Sequence, residues 1–244
     1  QARYQLTGIA GAETLATALR GAVVVFSTVT ADQALLVARN AAPDLAAGAL
    51  WLDCNSCAPE TKRAAAEVIA AAGGRYVDVA VMAPVYPKLH LVPLLVSGPD
   101  ARAGIAALQA LGMRPQYAGE TVGRASSIKM LRSVMIKGME ALTAECVLAA
   151  RRAGVEEEVI ASLEVSDPDM KWRKRGAYNL ERMMVHGARR AAEMREVAKT
   201  VAALGLPEGM ATATADWQAA VAETEAEPGA EDLFARADAI LKRL

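Results

Sequence analysis

Several features that would identify a class of function are scarce or absent in these 244 residues. Charges of the two signs nearly cancel, with a formal net charge of -1, so nothing in the sequence favours nucleic acid as a partner. Apolar runs stay shorter than the ~20 residues of a membrane-spanning helix, so we expect no membrane association. Three cysteines and no recognisable signal peptide predict a cytoplasmic protein rather than an exported disulfide scaffold.

Aromatic residues and glycine-rich phosphate loops are also lacking. Aromatics make up 4% of the chain while alanine is abundant, which favours close-packed helices over an all-β sandwich. Neither Gly-x-Gly-x-x-Gly nor a Walker-type sequence occurs, so motifs alone do not predict dinucleotide binding. The apolar fraction of 53% is sufficient for a sizeable core.

The first half of the chain alternates between strand and helix patterns. Apolar, β-branched runs at 22–27 and 49–53 predict strands covered on both faces of a parallel sheet. Asp100 is the expected cap of a helix that ends at Leu111. Further strands are predicted at 76–81, 91–97 and 114–118. This alternation is typical of a doubly wound α/β domain.

Only helical patterns follow Gly123. The first predicted helix covers 123–154, and others cover 156–163, 178–204, 208–223 and 231–244, with an interruption at Gly187 left open. A stripe of residues at steps of three and four predicts the buried face of the first helix: Ile128, Leu131, Met135, Met139, Leu142, Cys146, Ala149 and Ala153. We therefore expect an α/β domain over 1–121 and an all-α substrate and dimerisation domain over 122–244.

The candidate functional residues lie where the strands end and where the first long helix begins. Ligands of open α/β sheets bind beyond the carboxyl ends of the strands, which here are Ser27-Thr28, residues 53–56 and residues 82–84. Lys129 lies beside the apolar stripe, with Ser133 and Lys137 one and two turns further on. By itself this lysine is either a surface charge or a proton-transfer group.

Two other groups allow two interpretations each. Cys54-x-x-Cys57 is a redox pair or two incidental cysteines, and with two histidines and no second Cys-x-x-Cys no metal site is predicted. One helix face carries His186, Arg189 and Arg190. This face either binds an anionic substrate group or forms a salt-linked surface. The second interpretation is open because Glu193 is near enough to neutralise the face.

Three ordered segments resemble motifs of the β-hydroxyacid dehydrogenases, which include 3-hydroxyisobutyrate, tartronate semialdehyde and 6-phosphogluconate dehydrogenases. The segments are Asp-Cys-Asn-Ser-Cys-Ala-Pro-Glu-Thr-Lys at 53–62, Tyr-Val-Asp-Val-Ala-Val-Met-Ala-Pro at 76–84 and Gly-Arg-Ala-Ser-Ser-Ile-Lys at 123–129. The resemblance implies a Rossmann-like domain, a small hydroxy acid or related alcohol as substrate, and NAD or NADP as cofactor. Since the family begins with a glycine-motif βαβ unit, we expect that unit to be missing here.

The resemblance also implies roles for individual residues. Lys129 falls on the catalytic lysine, which exchanges a proton with the substrate hydroxyl as hydride is transferred. Thr28, Val29 and Ser56 fall on cofactor contacts. The implied substrate contacts are Asn55, Ser133 and the segment Met82, Ala83 and Pro84, which replaces the usual Ser-Gly-Gly at the carboxylate site.

Two departures from the family pattern narrow the expected reaction. Ser133 replaces an asparagine, and Ile136 stands where the decarboxylating 6-phosphogluconate dehydrogenases have a glutamate. Because isoleucine cannot transfer a proton, we predict oxidation without coupled decarboxylation. The rival hypothesis is a non-catalytic helical dimerisation or scaffold protein that keeps a degenerate Rossmann half; the missing glycine motif supports it.

Overall fold

The computed structural model describes residues 8–244, which form two compact units, one up to Met130 and one from Leu131. The α/β character of the first half and the all-helical second half agree with the predicted fold class. The units change over within the helix that begins at Arg124, later than the domain boundary predicted at 121/122.

From residue 8 onward, the first unit contains five strands and four α-helices before the long helix begins. Its elements are α1 (Leu15–Leu19), β1 (Val24–Ser27), α2 (Ala34–Ala41), β2 (Leu50–Asp53), α3 (Pro59–Ala71), β3 (Arg75–Val81), β4 (Pro93–Ser97), α4 (Ala101–Ala110) and β5 (Arg114–Gly119). Pro59 occupies the first helical position of α3, where the missing N–H costs nothing. Apolar side chains from both sides of β2 and β3 build the core on the two faces of the sheet.

The sheet has the strand order β1-β2-β3-β4-β5. The doubly wound pattern predicts parallel strands, but one pair of neighbours is antiparallel. β3 and β4 are antiparallel, while the other neighbouring pairs are parallel. The physical reason is the connection, because residues 82–92 contain a loop and the short 3-10 turn Leu89–Leu91 instead of a crossover helix. The register of β2 and β3 places Asp53 directly beside Asp78.

Asp100 occupies the residue before α4, but its carboxylate has a different partner from the one predicted. It accepts a hydrogen bond from Arg75 Nε at 2.8 Å and forms an ion pair with Arg75 Nη2 at 2.7 Å. The arginine at the start of β3 therefore competes with the helix N-terminus for this carboxylate.

The second unit consists of helices alone. The long helix α5 (Arg124–Ala153) continues into it and is followed by α6 (Glu156–Ser166), α7 (Trp172–Ala203), α8 (Gly209–Glu223) and α9 (Leu233–Leu241). α7 runs through Gly187 without interruption. An apolar core joins α5, α7 and α9, with Val147, Leu180, Met183 and Ile240 among its buried members.

The prediction for the buried face of α5 was wrong. Leu131, Met135 and Leu142 from the predicted stripe are exposed, Met135 by 67%. Lys137, on the polar line predicted beside that stripe, is only 6% exposed, and Glu140 is only 2% exposed. Charged side chains can occupy this buried face because Glu193 and Arg190 of α7 neutralise them, whereas apolar periodicity alone takes no account of such pairs.

Over residues 8–244, we find no helix with both the length and the apolar character that a membrane span requires.

Candidate active site

The structure brings the predicted catalytic lysine to the end of the second strand. Lys129 Nζ donates a hydrogen bond to Ser56 Oγ at 2.6 Å, and both side chains are half-buried. Ser56 follows β2 by three residues, and Lys129 lies in the second turn of α5. Two residues assigned separately by sequence position, one to the cofactor and one to catalysis, are thus in direct contact.

Asn55 fixes the loop that follows the first strand. Its Oδ1 accepts a hydrogen bond from the Val29 backbone N–H at 2.6 Å, and its Nδ2 donates one to Ser27 Oγ at 2.9 Å. Both ends of the amide are therefore engaged within the protein, and Asn55 is only 4% exposed. Thr28 and Val29 are exposed, so the loop presents accessible groups on an anchored backbone.

Beneath these residues lies a buried cluster of one ammonium and two carboxylates. Lys62 is fully buried and donates hydrogen bonds to Asp53 Oδ1 at 2.9 Å and to the Asp53 carbonyl at 2.6 Å. Its Nζ lies 3.4 Å from Asp78 Oδ1. Tyr76 donates its hydroxyl to Asp53 Oδ2 at 2.6 Å. Because each buried charge has an opposite charge beside it, the cluster avoids the large cost of isolated ions.

Asp78 caps the helix that carries Lys129. Its Oδ2 accepts from the backbone N–H groups of Gly123 and Ser126, both at 3.1 Å, and from the Ser126 hydroxyl at 3.2 Å. Ser97 Oγ donates to the same oxygen at 3.0 Å and accepts from Ala125 N at 3.0 Å. A carboxylate at a helix N-terminus satisfies orphan donors and is favoured by the helix dipole.

The electrostatics of the cluster keep the lysine charged and the tyrosine neutral. Burial disfavours the ammonium, but the carboxylates of Asp53 and Asp78 outweigh it and raise the pKa of Lys62 above its ordinary value. Burial and the neighbouring Asp53 carboxylate raise the pKa of Tyr76 well above its ordinary value. The Lys62 side chain therefore stays charged and the Tyr76 hydroxyl stays neutral over the physiological range.

The other predicted substrate contacts lie further along the same elements. Met82 directly follows β3, and its backbone N–H donates to the Pro93 carbonyl at 2.9 Å, which continues the ladder with β4. Ala83 is half-buried and Pro84 is exposed. Ser133 lies one turn beyond Lys129 on α5 and is 8% exposed.

The cysteine pair has the wrong electrostatics for a redox site. Burial raises the pKa of the Cys54 thiol to about 11, with a smaller opposing effect from the Lys62 ammonium. Cys57 is fully buried. Since the thiolate is the reactive form, a thiol that stays protonated at neutral pH favours the incidental interpretation.

The charged face of α7 is salt-linked, as the second interpretation predicts, but Arg190 and Glu193 are buried and do not form a surface. Arg190 Nη1 lies 2.6 Å from Glu140 Oε2, Arg189 pairs with Glu193, and Lys137 Nζ lies 2.7 Å from the same Glu193. Burial lowers the pKa of Lys137 and raises that of Glu140. Arg189 and Arg190 thus neutralise carboxylates within the second unit.

Sequence reasoning missed Lys62, Tyr76 and Asp78, although two signals could have found the cluster. Lys62 lies near the start of α3, where the helix dipole disfavours a cation, so a lysine there calls for a local anion. Asp53 ends the apolar run of β2 and Asp78 interrupts that of β3, and carboxylates at such buried positions of neighbouring strands require a cation nearby. Among residues 8–244, no group of three or more His, Cys, Asp and Glu is arranged to hold a metal ion.

Comparisons with known proteins agree with this architecture. Residues 150–221 match the model of a domain of unknown function, DUF1932. A conserved hypothetical protein from Sinorhizobium meliloti 1021 is 39% identical, with 100% of this chain and 82% of that chain covered and a TM-score of 0.77. A conserved protein of unknown function, whose structure is reported to be similar to 3-hydroxyacid dehydrogenases, is 30% identical, with 100% and 85% covered and a TM-score of 0.68.

More distant structures agree in fold alone. The 3-hydroxyisobutyrate dehydrogenase of Mycobacterium tuberculosis is 14% identical, with 94% of this chain and 82% of that chain covered and a TM-score of 0.69. Psf3, solved with NADP+ and 2-OPP, is 19% identical, with 84% and 77% covered and a TM-score of 0.61. On the strength of the two nearer relatives and the shared two-part architecture, the chain belongs to the 3-hydroxyacid dehydrogenase-like proteins, in a branch that carries the DUF1932 domain.

Proposed function

We propose that the protein is an NAD(P)-dependent oxidoreductase that interconverts a small hydroxy acid, or a related alcohol, and its carbonyl form. The observation that carries the proposal is the 2.6 Å contact between Lys129 Nζ and Ser56 Oγ at the carboxyl end of β2. This is the edge of the sheet at which α/β proteins bind ligands. The fold relative solved with NADP+ supports a nicotinamide cofactor.

The residues at this edge fit such a cofactor. Exposed Thr28 and Val29 offer a hydroxyl and an apolar side chain on a backbone that Asn55 anchors, and half-buried Ser56 adjoins Lys129. The chemistry that a nicotinamide supplies is transfer of a hydride to or from the carbon that carries the hydroxyl. Since both ends of the Asn55 amide are engaged, we assign Asn55 to the cofactor loop rather than to the substrate.

Lys129 is the general acid and base of the proposed reaction. In the oxidation direction its neutral amine takes the proton of the substrate hydroxyl as the hydride leaves, and in the reverse direction its ammonium returns that proton. Ser56 holds Nζ in place through the hydrogen bond. The backbone of Met82, Ala83 and Pro84 and the Ser133 hydroxyl are the proposed substrate contacts, and Ile136 offers no proton for a coupled decarboxylation.

A cofactor and substrate screen on the full-length protein tests this function. We expect saturable quenching of protein fluorescence by NADH or NADPH, and reduction of the oxidised cofactor by at least one small hydroxy acid without release of carbon dioxide. A protein that binds neither nicotinamide would instead be the non-catalytic scaffold. Release of carbon dioxide in step with cofactor reduction would contradict the assignment made from Ile136.

We also propose a homodimer through the C-terminal helices. The exposed α5 face, defined as Ile128, Leu131, Met135 and Leu142, places four apolar side chains on one 30-residue helix. A helix face of this kind suits an isologous contact with the same face of a second copy. Sedimentation is expected to give a dimer mass, and Met135→Glu with Leu142→Glu is expected to give a monomer. An unchanged dimer would place the interface elsewhere.

We also propose a cytoplasmic location, because none of the three cysteines is paired in a disulfide.

A further inference from the structure

We propose that Lys62 is a positioning residue, whose ammonium joins Asp53 and Asp78 so that Ser56 Oγ and Lys129 Nζ meet. Its catalytic consequence rests on the proposed function, whereas its effect on the position of Lys129 can be measured without any turnover. The geometry that points to it is a chain of contacts with two arms, one to each partner of the Lys129–Ser56 contact.

The first arm runs from Lys62 through Asp53 to the loop after β2. Asp53 Oδ1 accepts from Lys62 Nζ and from the Asn55 backbone N–H, both at 2.9 Å. The second bond turns the chain directly after the strand, so that the Asn55 side chain reaches the Val29 loop and Ser56 follows at the strand end. Tyr76 holds Oδ2 at 2.6 Å, so neither oxygen of this carboxylate can rotate away without loss of a buried hydrogen bond.

The second arm runs from Lys62 through Asp78 to the start of α5. One oxygen of Asp78 faces the Lys62 ammonium at 3.4 Å, and the other accepts from the N–H groups of Gly123 and Ser126. Lys129 follows Ser126 by three residues on the same helix, so the position of the cap determines where the Lys129 side chain begins. The carboxylate is fully buried, which leaves it no alternative partner in solvent.

A lysine is required here because two carboxylates lie side by side. The strand register makes Asp53 and Asp78 direct neighbours, and without a cation the two carboxylates would repel each other. A movement of either carboxylate would displace the backbone N–H groups that it anchors. Lys62 therefore maintains both anchors at once, which gives this fully buried ammonium a role at the active site.

Three variants of the full-length protein test the proposal. Lys62→Met removes the ammonium that joins Asp53 and Asp78. Asp78→Asn keeps the shape of the side chain in the second arm without its charge. Ser97→Ala removes only the hydroxyl that bridges Asp78 and Ala125 N. The control is Ile69→Val, a fully buried position of the same unit outside the cluster. Trace acetylation followed by peptide mass spectrometry measures the labelling rate of Lys129 relative to exposed Lys199.

We expect the relative labelling of Lys129 to rise severalfold in Asp78→Asn and in Lys62→Met, less in Ser97→Ala, and not at all in Ile69→Val. Where turnover is available, kcat should fall by up to roughly 10²-fold in Asp78→Asn with little change in cofactor KM, as expected for a displaced catalytic group. If Lys62→Met does not fold, the other two variants still decide. Labelling equal to that of Ile69→Val in both would overturn the proposal. Changed labelling in a protein that binds no nicotinamide would keep the positioning role and refute the proposed function.

Discussion

Replacing Lys129 by alanine is expected to lower kcat roughly 10²–10⁴-fold, the range that general acid–base groups contribute. The cofactor Kd should change little, because the side chain contacts Ser56 while the exposed Thr28–Val29 loop is anchored independently by Asn55. Steady-state turnover and fluorescence titration on the same preparations measure the two quantities. Turnover close to wild type would remove Lys129 from the mechanism.

Lys129→Arg is the matched variant that separates charge from proton transfer. Arginine keeps a positive charge near Ser56 but does not release its proton at physiological pH, so it can neither take up nor return the hydroxyl proton. We expect it to be nearly as inactive as the alanine variant. Substantial activity in Lys129→Arg would mean that the lysine acts only as a fixed charge. Lys199→Ala, a change at an exposed lysine of α7, serves as the neutral reference.

Gly187→Ala is expected to lower the free energy of unfolding by about 2 kcal/mol or more, within or above the ~1–3 kcal/mol that overpacking costs. A methyl group at Gly187 would overlap the Gln218 carbonyl oxygen and lie 2.9 Å from Ala222 Cβ. Both neighbours belong to α8, and a backbone atom cannot rotate aside, so the two helices would have to separate. Thermal or urea denaturation of the full chain, followed by circular dichroism, measures the loss.

Gly138→Ala is the control for this prediction and is expected to have the opposite sign. A methyl group there would meet only Thr214 Oγ1, at the ordinary contact distance of 3.8 Å. Because alanine is favoured over glycine in a helix interior by about 1 kcal/mol, this variant should be more stable than wild type. Equal effects of the two substitutions would show that helix propensity, not close approach of α7 and α8, governs Gly187.

The same comparison explains why Gly187 was difficult to interpret in the sequence. A glycine inside a helical pattern suggests an interruption when only the chain around it is considered. The structure shows a continuous helix in which glycine is needed because α8 passes within contact distance. Periodicity describes one helix at a time, and the requirement at this position comes from its neighbour.

The antiparallel pairing of β3 and β4 and the exposed α5 face were missed for related reasons. Apolar runs predicted both strands, but strand direction depends on how the chain crosses residues 82–92, which no local pattern specifies. The apolar stripe of α5 is present, but it was predicted to be buried and much of it is exposed. Its opposite face can be buried because Glu140 pairs with Arg190 and Lys137 pairs with Glu193, residues 50 or more positions away in the chain.

By itself the sequence determined the α/β and all-α halves, the family, and the nomination of Lys129, Ser56 and the strand-end loops. Those features follow from local periodicity and from motifs in which residue type and order suffice. Only the tertiary structure decided that Lys129 touches Ser56, that Asn55 anchors the Val29 loop, and that a buried lysine joins Asp53 to Asp78. The physical reason is that these contacts connect residues distant in the chain, whose side chains satisfy one another only once the strands and the helix are packed together.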